Sequence, residues 1–182
     1  MRNIIIISFL ILSITNKAQE YSLRTYSDVS SNSYLKDTNN ELNSYEGVWK
    51  GNWDGKTIQI VFKKITYNYN ENLEYYKDYL IGKFKVTDSN GSILFDNTNL
   101  SDNEAKIKGG KFRKDDGKYS LIYLDFDLCG LNGNIKLNFA DANKNSLQWN
   151  FSPMTDIISL DCPYLNTTFP EPLPKNIILT KQ

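Results

Sequence analysis

Asp125 and Asp127 stand one residue apart in a stretch where Ile122, Leu124, Phe126 and Leu128 occupy the intervening positions. In a strand, alternate side chains share a face, so this spacing puts both carboxylates on one side and the apolar residues on the other. Two carboxylates so placed could act as acid and base in a hydrolase, or ligate a hard cation. The same spacing also suits a solvated outer face, where the acids pair with lysines such as Lys136 on the next strand. The chain contains no histidine. That removes Ser-His-Asp and Cys-His catalysis together with the usual zinc sites. No Gly-rich phosphate loop or dinucleotide fingerprint is present, and Asp115-Asp116-Gly117 matches only a fragment of a calcium loop and reads as a turn. No catalytic residue, metal ligand or cofactor is therefore assigned.

Aromatic side chains are the other chemically capable set. Trp49, Trp53 and Trp149, with Phe84, are candidates for a ligand pocket, either apolar or able to stack against a sugar. Aromatic residues in a β protein also fill cores. Trp49 and Trp53 share parity, so a barrel that faces them inward would have them fill the lumen or wall a cavity, and an eight-stranded barrel allows either. Cys129 and Cys162 are the two cysteines, a candidate disulfide if the chain reaches an oxidising compartment.

The elements that must position these residues read as strands. From Gly47 onward, short runs of β-branched and aromatic residues are separated by Gly, Asn and Asp. Asp54-Gly55 between Val48–Trp53 and Lys56–Phe62 favours a type I′ hairpin. After Ile58, Ile60 and Phe62 the apolar phase slips at Lys63-Lys64, which predicts a bulge or the end of the strand. Further strands are expected near 79–87, 92–96, 106–113, 118–128, 134–140 and 146–152, with a short helix at 71–78. Gly109-Gly110 reads as a strand kink. Eight strands with short turns predict an all-β antiparallel meander, closed as an up-and-down barrel, with a β-sandwich as the alternative.

Flanking this core at 47–152 are a polar segment at 19–46, read as loop, and a tail at 153–182 that holds all five prolines. Proline donates no ladder hydrogen bond, so the sheet is expected to end before the tail, with Asn176–Thr180 returning as a possible edge strand. Arg2 followed by Ile4–Leu12 and small Ala18 gives a signal-peptide profile over 1–18, cleaved near Ala18. The apolar run is too short to span a bilayer. Its removal deletes Arg2 and Lys17, which takes the basic residues from 21 to 19 against 21 acidic. That near-neutral balance argues against nucleic acid or an anionic membrane as partner. A secreted or periplasmic product is expected.

Gly47-Val48-Trp49 resembles the Gly-x-Trp motif of lipocalin-like barrels, which implies an up-and-down barrel. More extensively, the chain resembles an uncharacterised family of small exported proteins of flavobacteria and their relatives. The likeness runs through the Ala18-Gln19 junction, Tyr34–Asn43, Tyr45–Thr57, Tyr76–Lys83 and Leu94–Asp96. It implies a bacterial exported domain of unknown function, with no catalytic residues to carry over. The expected roles are a non-enzymatic module that binds a small apolar or glycan ligand, a protein-interaction or envelope-structural domain with a filled core and another envelope protein as partner, and thirdly an Asp125/Asp127 hydrolase.

Overall fold

The computed structural model describes residues 18–154 and 160–182. The expected export signal therefore lies, apart from Ala18, outside the described residues. In chain order the strands are β1 (Glu20–Ser22), β2 (Tyr34–Lys36), β3 (Gly47–Trp53), β4 (Lys56–Asn70), β5 (Tyr75–Thr87), β6 (Ile93–Asp96), β7 (Ile107–Phe112), β8 (Tyr119–Asp125), β9 (Leu131–Phe139), β10 (Ser146–Pro153) and β11 (Asn176–Lys181). Eight of them close an antiparallel barrel in the order β5-β4-β3-β11-β10-β9-β8-β7, with β7 returning to β5. The sheet closes on itself instead of splitting into the two layers of a sandwich.

The barrel has eight staves as expected, but one differs. The 92–96 run forms β6, which pairs β5 off the barrel path, while the C-terminal segment expected at an edge sits between β3 and β10. Leu179 on β11 is fully buried and Ile178 is half exposed, so β11 alternates as a barrel stave does. The Asp54-Gly55 turn takes positive φ at both residues and brings Trp53 opposite Lys56, the I′ geometry that the pair favours. No helix forms at 71–78. Tyr75 begins β5, and β4 and β5 run on together as a long hairpin. The bulge falls at Ile65–Asn68, where Tyr67 has φ 51°, not at Lys63-Lys64. Lys64 keeps the inward parity of Phe62, and its ammonium meets the buried Asp37 carboxylate at 2.7 Å, so a lysine at a core-facing position caused the apparent slip of phase.

The lumen is solid. Trp49, Phe62, Phe84, Tyr119, Tyr123 and Trp149 are almost completely buried in one core cluster. The segment 19–46, expected as loop, carries β1, β2 and a short 3-10 turn, and closes one end. Its leucines, Leu23, Leu35 and Leu42, join the core, and Tyr45 packs on Phe139 at 4.4 Å. Arg24 lies 4.2 Å above the Phe112 ring and is held there by Glu41. At the other end, the connection between β10 and β11 buries Leu173.

On β8 the expected faces are reversed. Tyr119, Leu121, Tyr123 and Asp125 point inward, while Ile122 is 55%, Leu124 38% and Phe126 80% exposed. Both faces of this strand are apolar, so alternation alone does not choose between them. Pairing does, because Tyr119 sits opposite Leu137 and Leu121 opposite Ile135, and cross-strand partners share a face.

If β11 is a true stave, Leu179→Ala should cost about 2–5 kcal/mol as a core cavity. Ile178→Ala, one residue away, should stay within about 0.5 kcal/mol. Urea unfolding of the two variants gives the comparison.

Candidate functional site

Of the four aromatic residues expected to line a pocket, three belong to the packed core. Trp49 and Trp149 have no exposed surface, and Phe84 is 1% exposed. Trp53, at the end of β3, is partly buried against the same cluster with the Lys56 ammonium 5.5 Å from its ring. The two buried indoles have satisfied N–H groups, at opposite ends of the barrel. Trp49 Nε1 donates to the Tyr45 carbonyl at 2.7 Å, and Trp149 Nε1 donates to the Pro174 carbonyl at 2.8 Å. Each end cover is thus fastened to the core by a tryptophan.

The carboxylate pair is also arranged differently from the sequence expectation. β8 ends at Asp125, and a 3-10 turn at Phe126–Leu128 separates the two acids in burial. Asp125 is buried and Asp127 exposed. Asp125 Oδ1 accepts from Lys106 Nζ at 2.6 Å and from the Asp127 amide at 3.0 Å, and its Oδ2 accepts from the Tyr123 hydroxyl at 2.8 Å. Lys106, not Lys136, also pairs with Asp127 at 2.7 Å. Burial and the Asp125 charge hold the Tyr123 phenol well above its ordinary pKa, so it remains a donor. Burial works to lower the Lys106 pKa, but its bonds to Asp125 and Asp127 outweigh it and leave the ammonium charged. With both oxygens of Asp125 occupied, the cluster serves as a strand terminus. The Asp115-Asp116 turn is similar, since both acids pair with Arg113.

A carboxylate pair with both acids buried, which sequence reading passed over, joins β2 to the hairpin. Asp78 accepts from the Tyr34 hydroxyl at 2.6 Å and from the Tyr67 and Asp37 amides, both at 2.9 Å. Asp37 in turn accepts from the Glu41 and Leu42 amides and from Lys64. Backbone amides, the Tyr34 hydroxyl and the Lys64 ammonium occupy these acids and tie down the N-terminal cover.

Open space lies elsewhere, at the end of the barrel that the β10–β11 connection covers. A cleft of about 300 Å³ is walled on the barrel side by Leu131, Phe151, Pro153 and Met154, and on the connection side by Phe169, Pro170, Pro172 and Leu173. Glu171 and Lys175 also line it and are exposed, 3.8 Å apart. The prolines explain why this wall exists. A segment in which every second residue lacks an N–H cannot sustain a ladder with the sheet, and it lies across the cleft from Phe151. The disulfide Cys129–Cys162 joins the β8–β9 turn to the start of the connection, with Cα atoms 5.8 Å apart, and Cys129 lines the cleft. One covalent bond therefore ties the barrel side of the cleft to the segment that leads into the opposite wall. The clustering of all five prolines beyond β10, with Cys162 among them, was the available signal for this site, although spacing alone could not bring Leu131 and Phe169 together.

A family model described as a family of unknown function (DUF6705) matches residues 1–182. No curated protein and no solved structure matches the chain.

Asp125→Asn removes a buried charge from Lys106 and should destabilise by about 1–3 kcal/mol. Asp127→Asn, at the exposed partner, should cost less than about 1 kcal/mol. Replacing both cysteines by alanine opens a loop of sequence separation 33. On loop entropy this should cost about 4 kcal/mol. Chemical denaturation measures all three.

Proposed function

We propose that this chain, which belongs to the DUF6705 family of unknown function, is an exported, non-enzymatic binding module that takes a small apolar molecule in the cleft between the barrel end and the Pro-rich connection. The observation that carries this reading is the combination of an apolar cleft with a disulfide that anchors the start of the covering connection to the barrel side of the cleft. Preorganised walls lower the ordering cost of binding. The volume is at the lower end of the range for small-molecule sites, and its lining is apolar with a few polar groups beside it, as such sites require. Phe169, half-buried and edge-on to Tyr164 at 5.3 Å, offers a ring face to the ligand, while Glu171 and Lys175 suit one polar end. The connection from Met154 to Lys175 joins two neighbouring antiparallel strands with about twenty residues where a few would suffice, and loops of that length in compact domains are uncommon and belong chiefly to functional or linker segments. Export is supported by the signal-peptide profile over 1–18 and by the disulfide, a bond that persists in oxidising compartments.

A second reading, a protein-docking domain, draws on the outer face of β8. Ile122, Leu124 and Phe126 form an exposed apolar strip beside Leu100. Strips of this kind mark interaction surfaces.

Isothermal titration calorimetry with 1-octanol, and separately with cellobiose, tests the first reading. Saturable uptake of octanol is expected, weakened about five- to tenfold by Phe169→Ala through lost contact with the ring. Absence of uptake, or uptake indifferent to Phe169→Ala, contradicts it; binding of cellobiose alone would replace the apolar ligand by a glycan.

A further inference from the structure

A second opening lies on the opposite flank of the molecule, where β5 and β7 part company. The two strands pair only at Ile81 opposite Lys108 and Gly82 opposite Ile107. Beyond that point β5 turns to β2, pairing Tyr76 with Tyr34 and Lys77 with Leu35, and the ladder between β7 and β8 breaks between Gly109 and Phe112. The divergence leaves a polar gap of about 590 Å³ between the β4–β5 hairpin and β7, lined by Asn68, Asn70, Lys77, Asn103, Lys108 and Glu71 among others.

Lys77 and Lys108, the two lysines that line this gap, are held by backbone carbonyls. Lys36, Lys63, Lys64, Lys83 and Lys106 all meet carboxylates. Among the described residues, no carboxylate lies within ion-pair distance of Lys77, Lys108 or the neighbouring Lys111. Lys108 Nζ donates to the Asn103 carbonyl at 2.7 Å. The Lys77 ammonium donates to the carbonyls of Gly109 and Gly110, just past the point where the β5–β7 pairing ends. An ammonium has three donors, and two carbonyls leave one of them for a ligand. Burial, reinforced by Lys111, lowers the Lys77 pKa to about 8, so a bound anion would relieve a real electrostatic cost. Three asparagines stand on the surrounding walls; the Oδ1 atoms of Asn68 and Asn70 already accept from the Tyr79 hydroxyl and the Leu73 amide, which leaves their NH₂ groups to donate to ligand hydroxyls.

We infer that the gap between β5 and β7 is a binding site for a carboxylate-bearing, hydroxyl-rich small molecule of the sugar-acid class, with Lys77 and Lys108 receiving the carboxylate and Asn68, Asn70 and Asn103 the hydroxyls. The exposed Glu71 on the same wall opposes the ligand charge and sets a ceiling on affinity.

The test is an NMR titration of the folded protein with glucuronate, glucose and acetate, following the amide signals of Gly109 and Gly110. Glucuronate should produce saturable shifts and glucose none, and acetate should bind at least about fivefold more weakly than glucuronate, for want of hydroxyls. Lys108→Gln, at an exposed position that leaves the core intact, should weaken glucuronate at least about fivefold, and Glu71→Gln should strengthen it. Affinity should fall as pH rises through the Lys77 titration, followed by its ε-carbon signal. Lys108, Lys111, Glu71 and Tyr79 are the other titratable groups that face it. No shift with glucuronate, or an equal response to glucose, would overturn the site. Equal affinity for acetate would overturn the role given to the asparagines.

Discussion

The seam that seats β11 between β3 and β10 is the constraint from which the rest of the architecture follows. Without it the barrel would have two exposed edges, each with a row of unpaired donors and acceptors. Closure by the last strand fixes the path of the chain. β10 finishes at one end of the barrel, and antiparallel β11 must start there, with Asn150 opposite Asn176. The intervening connection therefore begins and ends at the same barrel mouth, and its residues 169–173 wall a cleft there.

A filled lumen follows from the same geometry. Eight strands enclose a space that side chains can occupy completely, and here two tryptophans, two tyrosines and phenylalanines do so. The indoles do more than fill volume. A buried N–H needs an acceptor, and the Trp49 and Trp149 N–H groups find theirs in Tyr45 and Pro174, on the segments that cover the two ends. The barrel core and its covers are hence one cooperative unit, and a ligand must be taken at the surface of that unit instead of inside it.

Local chemistry that acts over a few residues was legible in the sequence. The Asp54-Gly55 turn, the inward sets of β5, β9 and β10 and the irregularity at Gly109-Gly110 all follow from turn preference and period two. Features set by distant partners were not. β8 is apolar on both faces, so only its register with β9 assigns Asp125 to the interior. Lys64 looks like a break in the pattern until Asp37, on a different segment, is placed beside it. The 71–78 stretch lacks alternation because 71–74 form the hairpin turn and because Lys77 and Asp78, in the strand half, face two different polar environments. Asn176–Lys181 has the composition of an edge strand and becomes a stave because β3 offers a free edge. The apolar cleft was the least legible feature, since its two walls come from β9 and β10 and from a proline-rich segment with no period of its own.

The chain holds two methionines, Met1 and Met154, and Met154 lines the cleft. NMR of protein labelled with carbon-13 at the methionine methyl groups, titrated with 1-octanol, therefore reads the site directly, with the Trp49 indole N–H as a reporter of the lumen. A saturable shift of the Met154 methyl signal while the Trp49 N–H stays in place is the result that binding at the barrel end predicts. An unmoved Met154 methyl, or a Trp49 N–H that moves with it, would contradict it.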